Sequence, residues 1–199
     1  DKTTVDENAD GHVLCWEFQK DRAMPDGGQA FTGISVSRAA DVDDAVEHAL
    51  ATGVDVLLLD GTGGLLDTGL ELSTPPQFDL LPQTVEALRR RRREEHVTLI
   101  YAGGVRSGTD AAKLIAMGAS AVVYGVAASL AAGGSIGAAA IDYESDRSCE
   151  ERAAGLGALL QANAGEASMM ARCTGKTRLH NLEPEDLRAV TLSAAKMTR

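Results

Sequence analysis

The chain has 199 residues, 44% of them hydrophobic and 24% charged, which is ordinary for one globular domain with a sizeable core. A net charge of −10 argues against a duplex-DNA binder, because phosphate contacts need clustered Lys and Arg. No apolar run reaches the ~18 residues of a membrane span and no signal-peptide pattern is present, so neither nucleic acid nor membrane is an expected partner.

Residues 1–10 are polar and read as a flexible or partner-docked end. His12–Phe18 reads as a strand, and Asp26-Gly27-Gly28 as a turn. Phe31–Ser37 alternates as a strand. Asp41–Thr52 has helical spacing, with Val42, Ala45, Val46, Ala49 and Leu50 on one face and Gly53 as its stop. Val54–Leu59 is apolar apart from Asp55, the pattern of a strand buried on both faces.

Asp60-Gly61-Thr62-Gly63-Gly64 follows at once, and Leu65–Asp79 reads as a functional loop rather than an element. Leu81–Arg92 is a helix with Pro82 in its first turn. It ends in Arg89–Arg93, a solvated basic helix end that suits the helix dipole. Val97–Ala102 is the next strand, Thr109–Met117 the next helix, Ala121–Tyr124 the last strand, and Val126–Leu130 begins a short helix.

Strands and helices therefore alternate over residues 31–125, which implies a parallel sheet with right-handed crossovers. After Gly133-Gly134 the rhythm changes. Residues 138–151 are polar and irregular. Ala153–Cys173 reads as one long helix with Leu156, Leu159, Leu160, Ala167 and Met170 inward, closed by Gly175, and Pro184 opens a final short helix. The organisation expected is an N-terminal extension with one strand (1–30), a (β/α) half-barrel (31–134) and a helical C-terminal segment (135–199).

Two stretches carry the chemistry. Leu99–Lys113 is an apolar strand, a glycine turn and a helix opening at Ser107–Thr109, and Ala119–Ala127 is a strand ending at Gly125. A helix N-terminus beside glycines presents free N–H groups to an anion. Two such strand ends side by side make the phosphate site found at the top of (β/α)8 barrels. Asp60 is either an acid at a strand end or the cap of its own loop. Asp110 suits a first helical turn without any further role. His48, His96 and His180 lack ligand spacing, and no metal is expected. Cys15, Cys149 and Cys173 form no CxxC pair and read as free thiols of a reducing, cytoplasmic compartment; Cys15, beside Trp16, reads as a small core residue.

Gly103-Gly104-Val105-Arg106-Ser107-Gly108-Thr109-Asp110, then Ala116-Met117-Gly118-Ala119, resembles the FMN-binding domain of glutamate synthase, a family that includes the synthase of N-methylglutamate. Asp55–Gly61 with Gly63-Gly64 resembles its preceding strand and loop, and Ala171–Thr191 the segment that closes the domain. The resemblance implies a (β/α)8 barrel and flavin-mediated reduction of a 2-imino acid formed from 2-oxoglutarate and ammonia. By position, the N–H groups of Gly103, Gly104 and Gly125 would hold the FMN phosphate. Arg106 and Ser107 would line that cup, and Asp60, Gly61, Gly63 and Gly64 would approach the substrate or ring side. No catalytic residue is assigned.

The chain departs from that family in four respects. A whole barrel needs about 250 residues, whereas about four βα units are legible here, matching the C-terminal half. The family's iron–sulfur cysteines have no counterpart in Ser135–Ser145, so no cluster is expected. The strand Phe31–Ser37 lacks the family's Lys, with Arg38 the nearest cation. Leu65-Leu66 stands where the family has small polar residues. Two readings follow. One is an FMN oxidoreductase acting on CH–NH2 donors, whose barrel is completed by another polypeptide or a second copy, because raw sheet edges need covering. The other is a catalytically degenerate barrel subunit kept for assembly or regulation.

Overall fold

The computed structural model describes residues 10–16, 31–63, 68–138, 140–143 and 146–197. Five strands form one all-parallel sheet in sequential order: β1 (Gly11–Cys15), β2 (Phe31–Val36), β3 (Val56–Asp60), β4 (Thr98–Ala102) and β5 (Ala121–Val123). Each crossover moves one strand onward without reversal. That is the winding of a (β/α) barrel, whereas a doubly wound sheet reverses at a switch point. The molecule is thus an α/β partial barrel with a helical C-terminal segment. β1 pairs with β2 from Gly11↔Phe31 to Cys15↔Ser35, so the parallel array already begins at Gly11. Glu17 and Phe18, the end of the expected first strand, and the Asp26-Gly27-Gly28 turn lie outside the described residues.

The crossovers follow from local chemistry. Helix α1 (Val42–Thr52) is led in by a 3-10 turn at Ala39–Asp41 and stopped by Gly53, whose φ of 72° relieves the left-handed C-cap. The segment after β3 contains a short helix, α2 (Thr68–Ser73), where the sequence suggested loop. Two prolines follow it at once, which masks a helix this short from any periodicity. Next comes α3 (Leu80–Arg91), with Pro82 in its first turn. Helix α4 (Gly108–Ala116) is capped by Ser107, whose Oγ accepts from the Asp110 N–H at 3.1 Å. A fifth helix, α5 (Val126–Ala131), follows β5.

The register decides which strand residues meet the helices. Ile34↔Leu57↔Leu99 and Val36↔Leu59↔Tyr101 are in line across β2, β3 and β4. They form one core with Ala45, Val46 and Ala49 of α1 and Leu80, Leu81 and Leu88 of α3. Each of the fully buried leucines contributes about 1.5–3 kcal/mol of apolar burial. Ser35, Leu58, Asp60 and Ala102 lie on the opposite, inner face.

β6 (Gly134–Ile136) and β7 (Ile141–Tyr143) pair as a small antiparallel ladder, with β7 inside the stretch read as irregular. Helix α6 (Cys149–Cys173) starts one turn earlier than expected, because Ser148 and Glu151 complete a capping box. Its inward face meets the expectation at Ala167 and Met170 and departs from it at Leu160. Asn163, Ala167 and Ala171 are buried, whereas Leu160 is 54% exposed. The reason is close helix packing. A Cβ on Gly108 of α4 would lie 2.1 Å from the Asn163 carbonyl oxygen, so small residues at i, i+4 and i+8 of α6 take the contact. Leu179–Asn181 and Pro184–Asp186 are 3-10 turns, and α7 (Leu192–Met197) ends the described chain. None of the described helices is long and apolar enough to cross a membrane.

Candidate functional site

The C-terminal ends of β3, β4 and β5 bring three loops together. Asp60 ends β3, buried on the inner face at 1% exposure. Its Oδ1 accepts from the Thr62 N–H at 3.0 Å and the Thr62 hydroxyl at 2.6 Å, so it does cap its own loop. Its Oδ2 is buried with no partner. Gly61 donates to Ala102 O at 2.8 Å and accepts from the Gln77 N–H at 2.9 Å, which ties the β3 and β4 ends and the returning loop together.

Gly103 and Gly104 follow β4 with φ of 120° and 67°, conformations that suit glycine. A Cβ on Gly103 would come within 3.1 Å of the Gly61 carbonyl carbon, so the two glycine loops nest together. A Cβ on Gly104 would meet Pro76 Cγ at 2.6 Å. Phe78 stacks on Tyr101 with ring centroids 5.9 Å apart. Segment 76–78 therefore lies against the β4 end.

The feature that defines the site is a carboxylate. Glu71 of α2 accepts from the Gly104 N–H through Oε1 at 3.0 Å and from the Val126 N–H through Oε2 at 2.9 Å. A Cβ on Gly125 would stand 2.0 Å from Glu71 Oε2. Two backbone donors, one after β4 and one after β5, thus converge on a single anion in a space kept open by glycine. An oxyanion bound by two N–H groups is what a phosphate would present at the same place.

The other expected lining residues divide. Ser107 serves as the α4 cap. Arg106 is 80% exposed at its side chain and pairs with Asp110 at 3.5 Å, so the guanidinium lies outside the cup. Gly63 has a φ of 76°, and among the described residues the nearest atom to a Cβ there is Gln77 Nε2 at 3.7 Å, an ordinary contact. Gly64, Leu65 and Leu66 lie outside the described residues. Arg38 pairs with Asp41 at 2.7 Å.

Tyr101 adds a second buried polar group beneath the loops. Its hydroxyl has no partner, and burial first, then the charges of Asp60, Asp79 and Glu71, push its pKa far upward. Tyr124 is held up by burial and by Asp110 and Glu166, and its hydroxyl donates to Ser107 O at 3.4 Å. Neither Glu71 nor Tyr101 was marked out by the sequence. Glu71 reaches the cup from 33 residues upstream of Gly104, a separation that no local pattern encodes.

The remaining candidates have structural partners. Arg90 and Arg91 each pair with Asp43 of α1 at 2.9 Å, so much of the basic run ties α3 to α1. Trp16 and His48 meet edge-to-face at 5.4 Å, and Arg93 lies 2.6 Å from His96. Among the described residues no His, Cys, Asp and Glu cluster is placed to hold a metal. Cys149 and Cys173 are the first and last residues of α6, about 36 Å apart at 1.5 Å rise per residue, so those two thiols cannot share one cluster.

Residues 36–143, more than half of the chain, match the FMN-dependent dehydrogenase family. The chain belongs to that family. It is 34% identical over 184 residues to a glutamate synthase large subunit-like protein of Rhizobium meliloti, covering 76% of this chain and 42% of that protein. It is 38% identical over 90 residues to 2-hydroxyacid oxidase 1 of Mus musculus, covering 45% of this chain and 21% of that one. Among solved structures, a mutant flavocytochrome b2 with pyruvate bound superposes with a TM-score of 0.65 at 25% identity, covering 91% of this chain and 40% of that one. Mandelate oxidase with benzoyl-formic acid superposes with a TM-score of 0.54 at 20% identity, a likeness of fold. The chain spans about two fifths of the length of the Rhizobium protein and of flavocytochrome b2. The resemblance read from the two glycine loops is thus shared with FMN-dependent dehydrogenases at large, and the glutamate synthase branch is among its relatives.

Proposed function

We propose that the chain is the flavin-phosphate half of a glutamate synthase-like FMN oxidoreductase. The observation that carries this reading is the pair of N–H groups, from Gly104 and Val126, converging on one carboxylate beside Gly125. That arrangement fits a phosphate, because its donors are neutral backbone groups aimed at one oxyanion and a side chain at Gly125 would fill the space. FMN bound there would supply hydride or electron transfer. Gly104, Val126 and Gly125 would hold the phosphate, and the buried Asp60 and Tyr101 would stiffen the loops beneath it.

The substrate class is an amino or imino acid, carried over from the glutamate synthase-like relatives. β1 and β5 are sheet edges among the described residues, and raw edges require cover, whether from another polypeptide, a second copy or further sequence of the same protein. The free thiols accord with a cytoplasmic setting.

A second reading has its own support. Glu71 already fills the cup, so a permanently seated carboxylate would make this a degenerate barrel subunit with an assembly role. The test is the absorbance spectrum of natively purified protein with its co-purifying chains. Flavin bands, with FMN released on denaturation, are the outcome expected of the oxidoreductase. A colourless preparation that takes up no added FMN would leave the assembly role.

A further inference from the structure

The same carboxylate points to control of the site. We propose that Glu71 is an internal competitor for the phosphate cup, carried on a lid, α2, that closes the cup in the flavin-free chain and leaves it when the phosphate enters. The proposal rests on the reading of the cup as the flavin-phosphate site.

The geometry is that of a bound ligand rather than a surface contact. Both carboxylate oxygens are used, each on a different loop, at 3.0 and 2.9 Å. The same two N–H groups cannot serve a carboxylate and a phosphate together, and two anions in that space repel. Glu71 and the phosphate are therefore mutually exclusive.

The segment is built to move at one end only. Its C-terminal side is anchored: the Gln77 N–H donates to Gly61 O at 2.9 Å and Phe78 stacks on Tyr101. Its helical part is only six residues long and lies against α5, with Leu72 39% exposed and Ser73 and Thr74 exposed as well. The two charged hydrogen bonds of Glu71 attach α2 to the cup, and Leu72, its described leucine, is partly open to solvent. A site that is open only part of the time binds its ligand more weakly in proportion to the open fraction. Flavin loading is then coupled to release of α2 from the β4–β5 end of the barrel.

The test compares wild type, Glu71→Ala and Glu71→Gln in the full chain with its co-purifying polypeptides. The probes are FMN, riboflavin, which lacks the phosphate, and inorganic phosphate. Both variants should bind FMN about tenfold or more tightly than wild type while riboflavin affinity stays the same. Amide exchange at Gly104 and Val126 should be slow in flavin-free wild type, fast in Glu71→Ala, and slow again when phosphate or FMN is added. Glu71→Gln keeps the side-chain shape, so it separates loss of charge from any loss of packing. Equal FMN affinity in all three proteins, or weaker binding by the variants, overturns the lid and leaves the cup. If none of the three binds FMN or phosphate, the phosphate reading fails and takes the lid with it.

Discussion

Gly61 lies directly against the Tyr101 hydroxyl: a Cβ on Gly61 would stand 2.3 Å from the Tyr101 oxygen and 2.9 Å from its ring carbon Cζ. The glycine that begins the loop after β3 is therefore required by the tyrosine of β4. Gly61→Ala should destabilise the fold by about 1–3 kcal/mol through overpacking. Tyr101→Phe should have the opposite sign. It removes a buried hydroxyl that has no partner, a group whose burial costs about 1–3 kcal/mol, and should stabilise by about 1 kcal/mol. In the double variant the alanine should cost less than it does alone, since its nearest obstacle is gone. Urea unfolding of the four proteins measures the coupling. Strict additivity would mean that the two residues do not share this space.

The cup makes a prediction of its own. Gly125→Ala puts a methyl group 2.0 Å from where Glu71 Oε2 now lies, in the volume of the anion itself. FMN affinity should fall by about a hundredfold or more, roughly 2.7 kcal/mol at 1.36 kcal/mol per tenfold, with riboflavin much less affected. Gly104→Asp should abolish phosphate binding altogether. It adds a like charge at one of the two donors, at a φ of 67° that an L side chain rarely adopts. Flavin retained by Gly104→Asp, measured by absorbance after desalting, would sink the assignment of the cup.

Much of this arrangement was legible in the sequence, for particular physical reasons. The run Val56–Leu59 within Val54–Leu59 marked a strand buried on both faces, and Gly53 marked the stop before it. Ser107 before Gly108 announced the α4 cap. The phosphate-type turns were visible because glycine at a strand end is a local signal. What escaped was non-local. Helix α2 is too short for a period to emerge, and the contact from Glu71 to Gly104 depends on the fold bringing a loop back across two strand ends.

Helix α6 misled for a different reason. Leu160 looked like part of the core face but is exposed, whereas close approach to α4 turns Asn163 and Ala171 inward beside the expected Ala167. Gly108 is the counterpart on α4. Gly108→Ala should force the helices apart, because its Cβ would sit 2.1 Å from the Asn163 carbonyl and 2.7 Å from the Ala167 nitrogen. A loss of about 1–3 kcal/mol is expected, and more if the backbone cannot shift. Chemical denaturation checks it. A neutral result would show that α6 can move away from α4 without cost.

Helix α6 also holds the first turn of α4 through Glu166. The Gly108 N–H donates to Glu166 Oε2 at 2.9 Å, and the Thr109 hydroxyl donates to Oε1. The Thr109 hydroxyl first, then the backbone donors, hold the Glu166 pKa below its ordinary 4.5, with burial and Asp110 opposing. A depressed carboxylate stabilises the fold above the unfolded value and loses that contribution as pH falls through the folded one. Glu166→Gln removes the charge but keeps the shape. Wild type should therefore be the more stable protein above about pH 5, and the gap should narrow as pH falls below the ordinary 4.5 toward the lower folded value. Thermal unfolding of both proteins across that range reads the difference directly. A gap that stays constant down to pH 3 would mean that Glu166 acts through packing rather than through its charge at the α4 N-terminus.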